Sequence, residues 1–77
     1  MRAAIISIGD ELVLGERPDT NARWIADTLT EHAIMAVEQR TISDDREAIA
    51  NSVRDLTESV DLIVMTGDYL NLSYVRD

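Results

Sequence analysis

Apolar residues concentrate in three short runs along the chain, at residues 3–8, 34–42 and 60–66. The first and third runs are nearly continuous and each is followed closely by a glycine, which is typical of strands covered on both faces of a parallel sheet. The middle run contains three consecutive polar residues at 38–40, so we place it at an edge of the sheet. The pattern therefore predicts three strands of unequal burial.

The stretch between the first two strands has the spacing of an amphipathic helix. Residues 9–18 read as a loop, and Pro18 followed by Asp19 marks the entry to the helix. Four apolar residues then recur at i, i+3, i+7 and i+11 and form one face: Ala22, Ile25, Leu29 and Ala33. Trp24 flanks this face, and we interpret it as a core or interface residue.

A second helix is predicted between the second and third strands. Ile49, Val53 and Leu56 recur at i, i+4 and i+7 and give it one apolar face. Asp44 is the expected N-cap, with Glu47 three residues later in a variant of the capping box.

These elements predict a three-layer α/β fold with a parallel sheet that begins βαβαβ in strand order 2-1-3. Both βαβ connections are expected to be right-handed. From strand 1 the connections lead first to one side of the sheet and then to the other, so the direction of connection reverses between strands 1 and 3. Open α/β sheets bind ligands in the crevice at such a switch point, outside the carboxyl ends of the strands. Three segments are expected to meet there: Gly9-Asp10-Glu11, Thr66-Gly67 and, to one side, Ser43-Asp44-Asp45.

Length and charge narrow the classes of function. A chain of 77 residues makes one domain at most, and the absence of cysteine excludes disulfides and thiolate metal sites and fits a reducing cytosol. The net charge of −8 repels a nucleic-acid backbone but leaves backbone dipoles able to bind a small anion. The apolar runs are too short for a signal peptide or a membrane helix. We therefore expect a cytoplasmic protein that binds neither nucleic acid nor membranes.

The residues at the predicted strand ends suggest chemistry, with structural alternatives. Gly9, Asp10 and Glu11 suit a ligand loop in which backbone N–H groups face a phosphate or pterin and the carboxylates hold a metal; a plain turn is the alternative. Asp44 and Asp45 suit the orientation of a Mg²⁺-bound phosphate, while helix capping by Asp44 is an equally good explanation and is compatible with it.

Three segments carry a family resemblance. They are residues 6–12 with Gly15 and the triplet 19–21, residues 41–49, and residues 61–67. Each is weakly specific alone, but in this order and spacing they resemble the molybdopterin-binding domain family of molybdenum-cofactor biosynthesis, and within it the CinA-like branch.

The resemblance implies a binding role and two activities. One is binding or adenylation of molybdopterin; the other is hydrolysis of a nucleotide pyrophosphate such as ADP-ribose with a divalent metal such as Mg²⁺. It implies Asp44 as the catalytic residue, with metal ligands unassigned, and it implies a set of ligand-binding residues: Gly9, Asp10, Glu11, Asp19, Asn21, Asp45, Thr66 and Gly67. For Asp19 and Asn21, a helix cap is the alternative; for Thr66-Gly67, an ordinary strand end is the alternative.

The resemblance stops at Gly67, where the family continues with a second glycine. Asp68 stands in that position, and its carboxylate and Cβ oppose the approach of an anion. Residues 1–67 are therefore expected to form the N-terminal half of the domain and residues 68–77 a divergent tail. Truncation, a frameshift or a misassigned stretch of sequence explains such a break.

The break opens a contrasting hypothesis about function. The chain is then a non-enzymatic remnant or a homo-oligomeric subunit, in which the exposed edge of the third strand and the tail pair with another copy. The tail is apolar enough either to form a short strand or to pack on a partner.

Overall fold

The computed structural model describes residues 1–67 and, for the backbone, residues 70–75. The elements in chain order are β1 (Arg2–Ile8), α1 (Asp10–Val13), α2 (Thr20–Glu31), β2 (Met35–Ile42), α3 (Arg46–Thr57), β3 (Leu62–Gly67) and β4 (Leu70–Val75). The predicted strands and the two long helices are present, with bounds shifted by one or two residues at several ends. The predicted loop at residues 9–18 contains a single helical turn, α1.

The sheet has the strand order β2-β1-β3-β4. Strand β1 pairs in parallel with both β2 and β3, which confirms the predicted order 2-1-3 and the α/β fold. Its partners are in register as far as the carboxyl ends, where Ser7 lies beside Thr41 on one side and Thr66 on the other. Strand β1, which is the most apolar, therefore lies between two other strands, in agreement with its burial.

Strand β4 pairs antiparallel with β3 over its whole length, from Leu62↔Val75 to Gly67↔Leu70. This pairing occupies the edge of β3 with the chain's own tail. The edge of β3 is therefore not exposed as the sequence suggested, and the alternative that the tail forms a short strand is confirmed over residues 70–75. Association with another copy stays a prediction. Residues 68, 69, 76 and 77 of the predicted tail lie outside the described residues.

The two long helices cover opposite faces of the sheet. Ala4, Ile6 and Ile8 of β1 pack in one cluster with Leu56 of α3 and with Ile63. Successive strand residues point to opposite faces, so Ala3, Ile5 and Ser7 face α2. Ile5 accordingly lines a groove with Ala22 and Ala26 of α2. The principal core thus lies between the sheet and α3.

The helices correct two predictions made from the sequence and narrow a third. Asp45, and not Asp44, is the N-cap of α3, because its carboxylate accepts a hydrogen bond from the Ala48 amide at 2.9 Å. Helix α2 ends at Glu31, so Ala33 lies beyond it and is exposed. Trp24, in the middle of α2, is 68% exposed and is not part of the core of this chain, while the alternative of an interface residue stays a prediction.

Among the helices of the described region, none has both the length and the apolar character needed to span a bilayer.

Candidate functional site

A cavity of about 350 Å³ lies at the carboxyl edge of the sheet, where β1 and β3 end side by side. This is the switch point, where the connections from β1 lead to opposite sides of the sheet. The start of α2 and the loop before it form one wall, and the end of β3 forms another. The lining residues are Ile8, Leu12, Arg17, Pro18, Asp19, Thr20, Asn21, Thr66 and Gly67.

The first turn of α2 supplies hydrogen-bond donors to this cavity. Asp19 is the N-cap, and its Oδ1 accepts a hydrogen bond from the Ala22 amide at 3.1 Å. Its second oxygen, Oδ2, lies 3.3 Å from the donating Nε2 of Gln39 on β2, which fixes the helix start to the sheet. The amides of Thr20 and Asn21 have no acceptor within the helix, because they belong to its first turn. They add to the positive end of the helix dipole.

The loop between β1 and α2 places a cation beside the cavity. Arg17 donates a hydrogen bond from Nη2 to Glu11 Oε1 at 2.8 Å, and its side chain is 54% exposed. The Glu11 carboxylate folds back over Gly9. The approach is so close that a Cβ on that glycine would lie 2.7 Å from Glu11 Oε1. Gly9 itself is tied to the end of β2 by a bond from its amide to the Ile42 carbonyl at 3.0 Å. The loop is thus held at the edge of the sheet.

Three carboxylates lie on the other side of this loop. Asp10 Oδ1 accepts a hydrogen bond from the Asp44 amide at 3.1 Å, which joins the loop after β1 to the loop after β2. Asp45, next in the chain, caps α3. The predicted meeting of the segments 9–11 and 43–45 is therefore observed as a direct hydrogen bond.

The donor set does not fit a metal ion by itself. Within residues 1–67 and 70–75, no three aspartate, glutamate or histidine side chains are arranged to hold a cation. Asp10 already accepts one bond and Asp45 is engaged in capping.

The predicted site residues thus divide into three groups. Four line the cavity: Asp19, Asn21, Thr66 and Gly67. Gly9, Asp10 and Glu11 form the loop at its rim, while Asp44 and Asp45 lie beyond Asp10 at the start of α3. Sequence reasoning missed Arg17, although it is the only basic residue between Gly9 and Pro18. That feature was the available signal.

Comparison with known proteins identifies the family of this chain. The family described as "Probable molybdopterin binding domain" matches residues 4–68, which include the whole loop and every cavity residue. The chain belongs to this family. The match also covers each of the three segments that resembled the family in the sequence.

CinA-like proteins are among the relatives of this molybdopterin-binding-type domain. Those of Geobacter metallireducens and Citrifermentans bemidjiense are 40% and 45% identical to it over 67 residues. The solved structure of the protein CinA with unknown function from Thermoplasma acidophilum matches with a TM-score of 0.80 at 31% identity.

The chain spans a small part of these proteins. The match covers 87% of this chain but 16% of the two CinA-like relatives. It covers 83% of this chain and 38% of the solved Thermoplasma chain.

Proposed function

We propose that this CinA-like domain binds the phosphate group of a pterin or a nucleotide in the switch-point cavity. The observation that carries the proposal is the convergence of three kinds of donor on one cavity. The residues that line it include Arg17 with its guanidinium, Thr20 and Asn21 with the first-turn amides of α2, and Thr66 with its hydroxyl. Such donors recognise phosphate oxygens, and a helix N-terminus is a favourable site for an anion.

The net charge of −8 does not oppose this proposal. Surface carboxylates more than about 10 Å away are largely screened at 0.1 M salt, whereas the amides and guanidinium contact the ligand directly. The apolar side chains of Ile8 and Leu12 give the cavity a surface suited to a planar ring. Its volume of about 350 Å³ suits one phosphate and part of the adjoining group.

Two ligand classes share this phosphate chemistry. The family description favours molybdopterin, and the CinA-like resemblance favours a nucleotide pyrophosphate such as ADP-ribose. The proposal is confined to binding, because the carboxylates near the cavity do not form a metal site among themselves. A catalytic role for Asp44 and a requirement for Mg²⁺ stay predictions, and both enter the test as separate arms.

A chemical-shift titration of the whole chain tests the proposal. We expect ADP-ribose to shift the amide resonances of Thr20, Asn21 and Gly67 at millimolar concentration, and a phosphorylated pterin to do so if that class is the ligand. Adenosine, which lacks phosphate, is the matched control and should shift them far less. If neither phosphorylated compound shifts these amides, with or without Mg²⁺, the binding proposal is wrong.

The same samples address catalysis. Phosphorus NMR of the ADP-ribose samples with Mg²⁺ reports hydrolysis directly, as the pyrophosphate signals give way to monophosphates. If hydrolysis occurs, Asp44→Asn should abolish it, as the predicted catalytic role of Asp44 requires. Size-exclusion chromatography of the same stock reports whether the chain forms a homo-oligomer.

A further inference from the structure

Ser7 has an unusual position within the sheet. It is completely buried in the central strand, and its Oγ has no hydrogen-bond partner among the described residues. Buried hydroxyls almost always have a partner, so one that lacks it calls for an explanation. Alanine would fill the same place, since Ala3 and Ala4 of the same strand are equally buried.

The Ser7 hydroxyl lies in a row of three hydroxyls that crosses the sheet beneath the start of α2. Thr41 and Thr66 are its register partners on the two neighbouring strands. Partners in register point to the same face, which for Ser7 is the face of α2. Thr66 is itself only 3% exposed and lines the cavity. The row therefore leads from Ser7 to the cavity wall.

The other end of the row is already engaged. Thr41 Oγ1 accepts a hydrogen bond from Gln39 Nε2 at 3.1 Å, and the same nitrogen donates to Asp19 Oδ2 at 3.3 Å. The start of α2 and the hydroxyl row are thus connected through one amide group.

We propose that Ser7 is a positioning residue for the phosphate ligand, acting through Thr66; this inference rests on the proposed function. A threonine hydroxyl has one proton and two lone pairs. When Thr66 donates that proton to a phosphate oxygen, the lone pairs of its own oxygen remain available to accept a hydrogen bond from the neighbouring strand. Adjacent strands lie about 4.8 Å apart, so a rotation about χ1 of Ser7 brings its hydroxyl within reach. Ser7 then donates to Thr66 and holds it toward the ligand.

The proposed role predicts that the Ser7 hydroxyl matters differently in the ligand-free and the ligand-bound protein. Without ligand, the Ser7 hydroxyl is buried and unsatisfied, so its removal should not destabilise the chain. With ligand, the bonds from Ser7 to Thr66 and from Thr66 to phosphate strengthen each other. A serine with a purely structural role would not separate stability from affinity in this way.

The test compares ADP-ribose binding and urea unfolding in four variants. Ser7→Ala should raise the Kd for ADP-ribose about three- to tenfold, which corresponds to the loss of one hydrogen bond. The midpoint of urea unfolding should stay unchanged or rise. Thr66→Val should raise the Kd at least as much. The double variant should bind no worse than Thr66→Val alone, because Ser7 acts only through Thr66. Ser52→Ala, a buried serine of α3 on the other face, is the matched control and should bind as the unchanged chain does.

The outcomes are distinguishable from a failure of the proposed function. If the unchanged chain does not bind ADP-ribose or a phosphorylated pterin, both proposals fall. If it binds and Ser7→Ala binds equally well, or if the Ser7 effect persists in the Thr66→Val background, only the role of Ser7 is refuted. The Ser7 ¹³Cβ resonance of the unchanged chain gives a second measurement that needs no variant: it should move in proportion to ligand saturation.

Discussion

Ala33 has a backbone φ of 59°, in the left-handed region, directly after the end of α2. Its amide donates to the Thr30 carbonyl at 3.0 Å, and the Ile34 amide donates to the Leu29 carbonyl at 2.9 Å. This pair of bonds is the Schellman motif, in which glycine is the preferred residue at the position of Ala33. The motif ends the helix and turns the chain into β2, so Ala33 leaves the apolar face on which the sequence pattern had placed it.

The strain at Ala33 gives the first prediction. Ala33→Gly should raise the free energy of unfolding by about 0.5–1 kcal/mol, because relief of the left-handed penalty exceeds the added entropy of the unfolded chain. Urea denaturation measures this. Ala50→Gly, in the exposed interior of α3, is the control and should lower the same quantity by about 1 kcal/mol. A decrease for both variants would contradict the assignment of the motif.

The second prediction concerns the ion pair at the rim of the cavity. Glu11 Oε1 lies 2.8 Å from Nη2 of Arg17, so under the proposed function it would compete with an anionic ligand for that guanidinium. Glu11→Gln should therefore strengthen binding of ADP-ribose about two- to fivefold, and Arg17→Gln should weaken it by about tenfold. Isothermal titration calorimetry measures both.

Arg54→Gln is the control for this pair, since Arg54 lies on α3 away from the cavity lining. It changes the net charge equally, so it separates the local effect from the general one. Equal weakening by Arg17→Gln and Arg54→Gln would mean that Arg17 does not contact the ligand.

At the scale of elements, the two adjacent aspartates before α3 have different tasks. Asp45 caps the helix through the Ala48 amide, whereas Asp44 contributes its backbone amide to Asp10. Asp45→Ala should therefore lower the free energy of unfolding by about 1 kcal/mol, and Asp44→Ala by less than about 0.5 kcal/mol. Urea denaturation of the two variants decides this, and a larger loss for Asp44→Ala would reinstate the cap predicted from the sequence.

Arg40 links the edge strand β2 to α3. Its guanidinium bonds to Glu38 on the same strand and to Asp55 of α3, the latter at 3.3 Å. Hydrogen bonding to Glu38, and then to Asp55, raises the pKa of Arg40 despite some opposing desolvation. A raised pKa contributes stability that is complete below the ordinary value and disappears only as the pH rises through the folded value.

The pKa of Arg40 therefore gives a prediction about pH. Arg40→Gln should cost less than about 1 kcal/mol, because Asp55 is largely exposed, and 0.5 M salt should reduce that cost. The part of this stability cost that depends on the protonation of Arg40 should be constant between pH 6 and 9, because this range lies far below the pKa of Arg40. Unfolding midpoints at three pH values measure it. A cost that falls steadily across this range would show that another group titrates with the bridge.

At the scale of the whole molecule, stability depends on a small core between the sheet and α3. Leu56 is fully buried in it with Ile6 and Ile63. Leu56→Ala should cost about 2–5 kcal/mol. For 77 residues the total free energy of unfolding is expected to be about 4–12 kcal/mol, so this one change removes a large part of it.

Circular dichroism during urea unfolding tests the Leu56 prediction. Leu14→Ala is the matched control, because Leu14 is 72% exposed and its truncation should change the free energy of unfolding by less than about 0.5 kcal/mol. A loss below about 1 kcal/mol for Leu56→Ala would mean that α3 is not packed on the sheet as described.

Much of the fold was predictable because the apolar or polar character of a strand's residues indicates how deeply the strand is buried. The continuous apolar run of β1 identified the central strand, and polar residues 38–40 identified the edge strand β2. The position of the cavity was predictable, since the switch point of the sheet follows from the strand order alone. Its lining was only half predictable, because Arg17 reaches it through a loop whose path includes the short helix α1.

The sequence by itself determined the three parallel strands, their order and the family, since each follows from local periodicity or from residues adjacent in the chain. Only the tertiary structure decided which aspartate caps α3, what covers the edge of β3, and that Ser7 lies buried between Thr41 and Thr66. These three depend on contacts between residues far apart in the chain. A hydrogen bond or a strand register depends on how two distant parts of the backbone are placed relative to each other. A local pattern of residues contains no information about that placement.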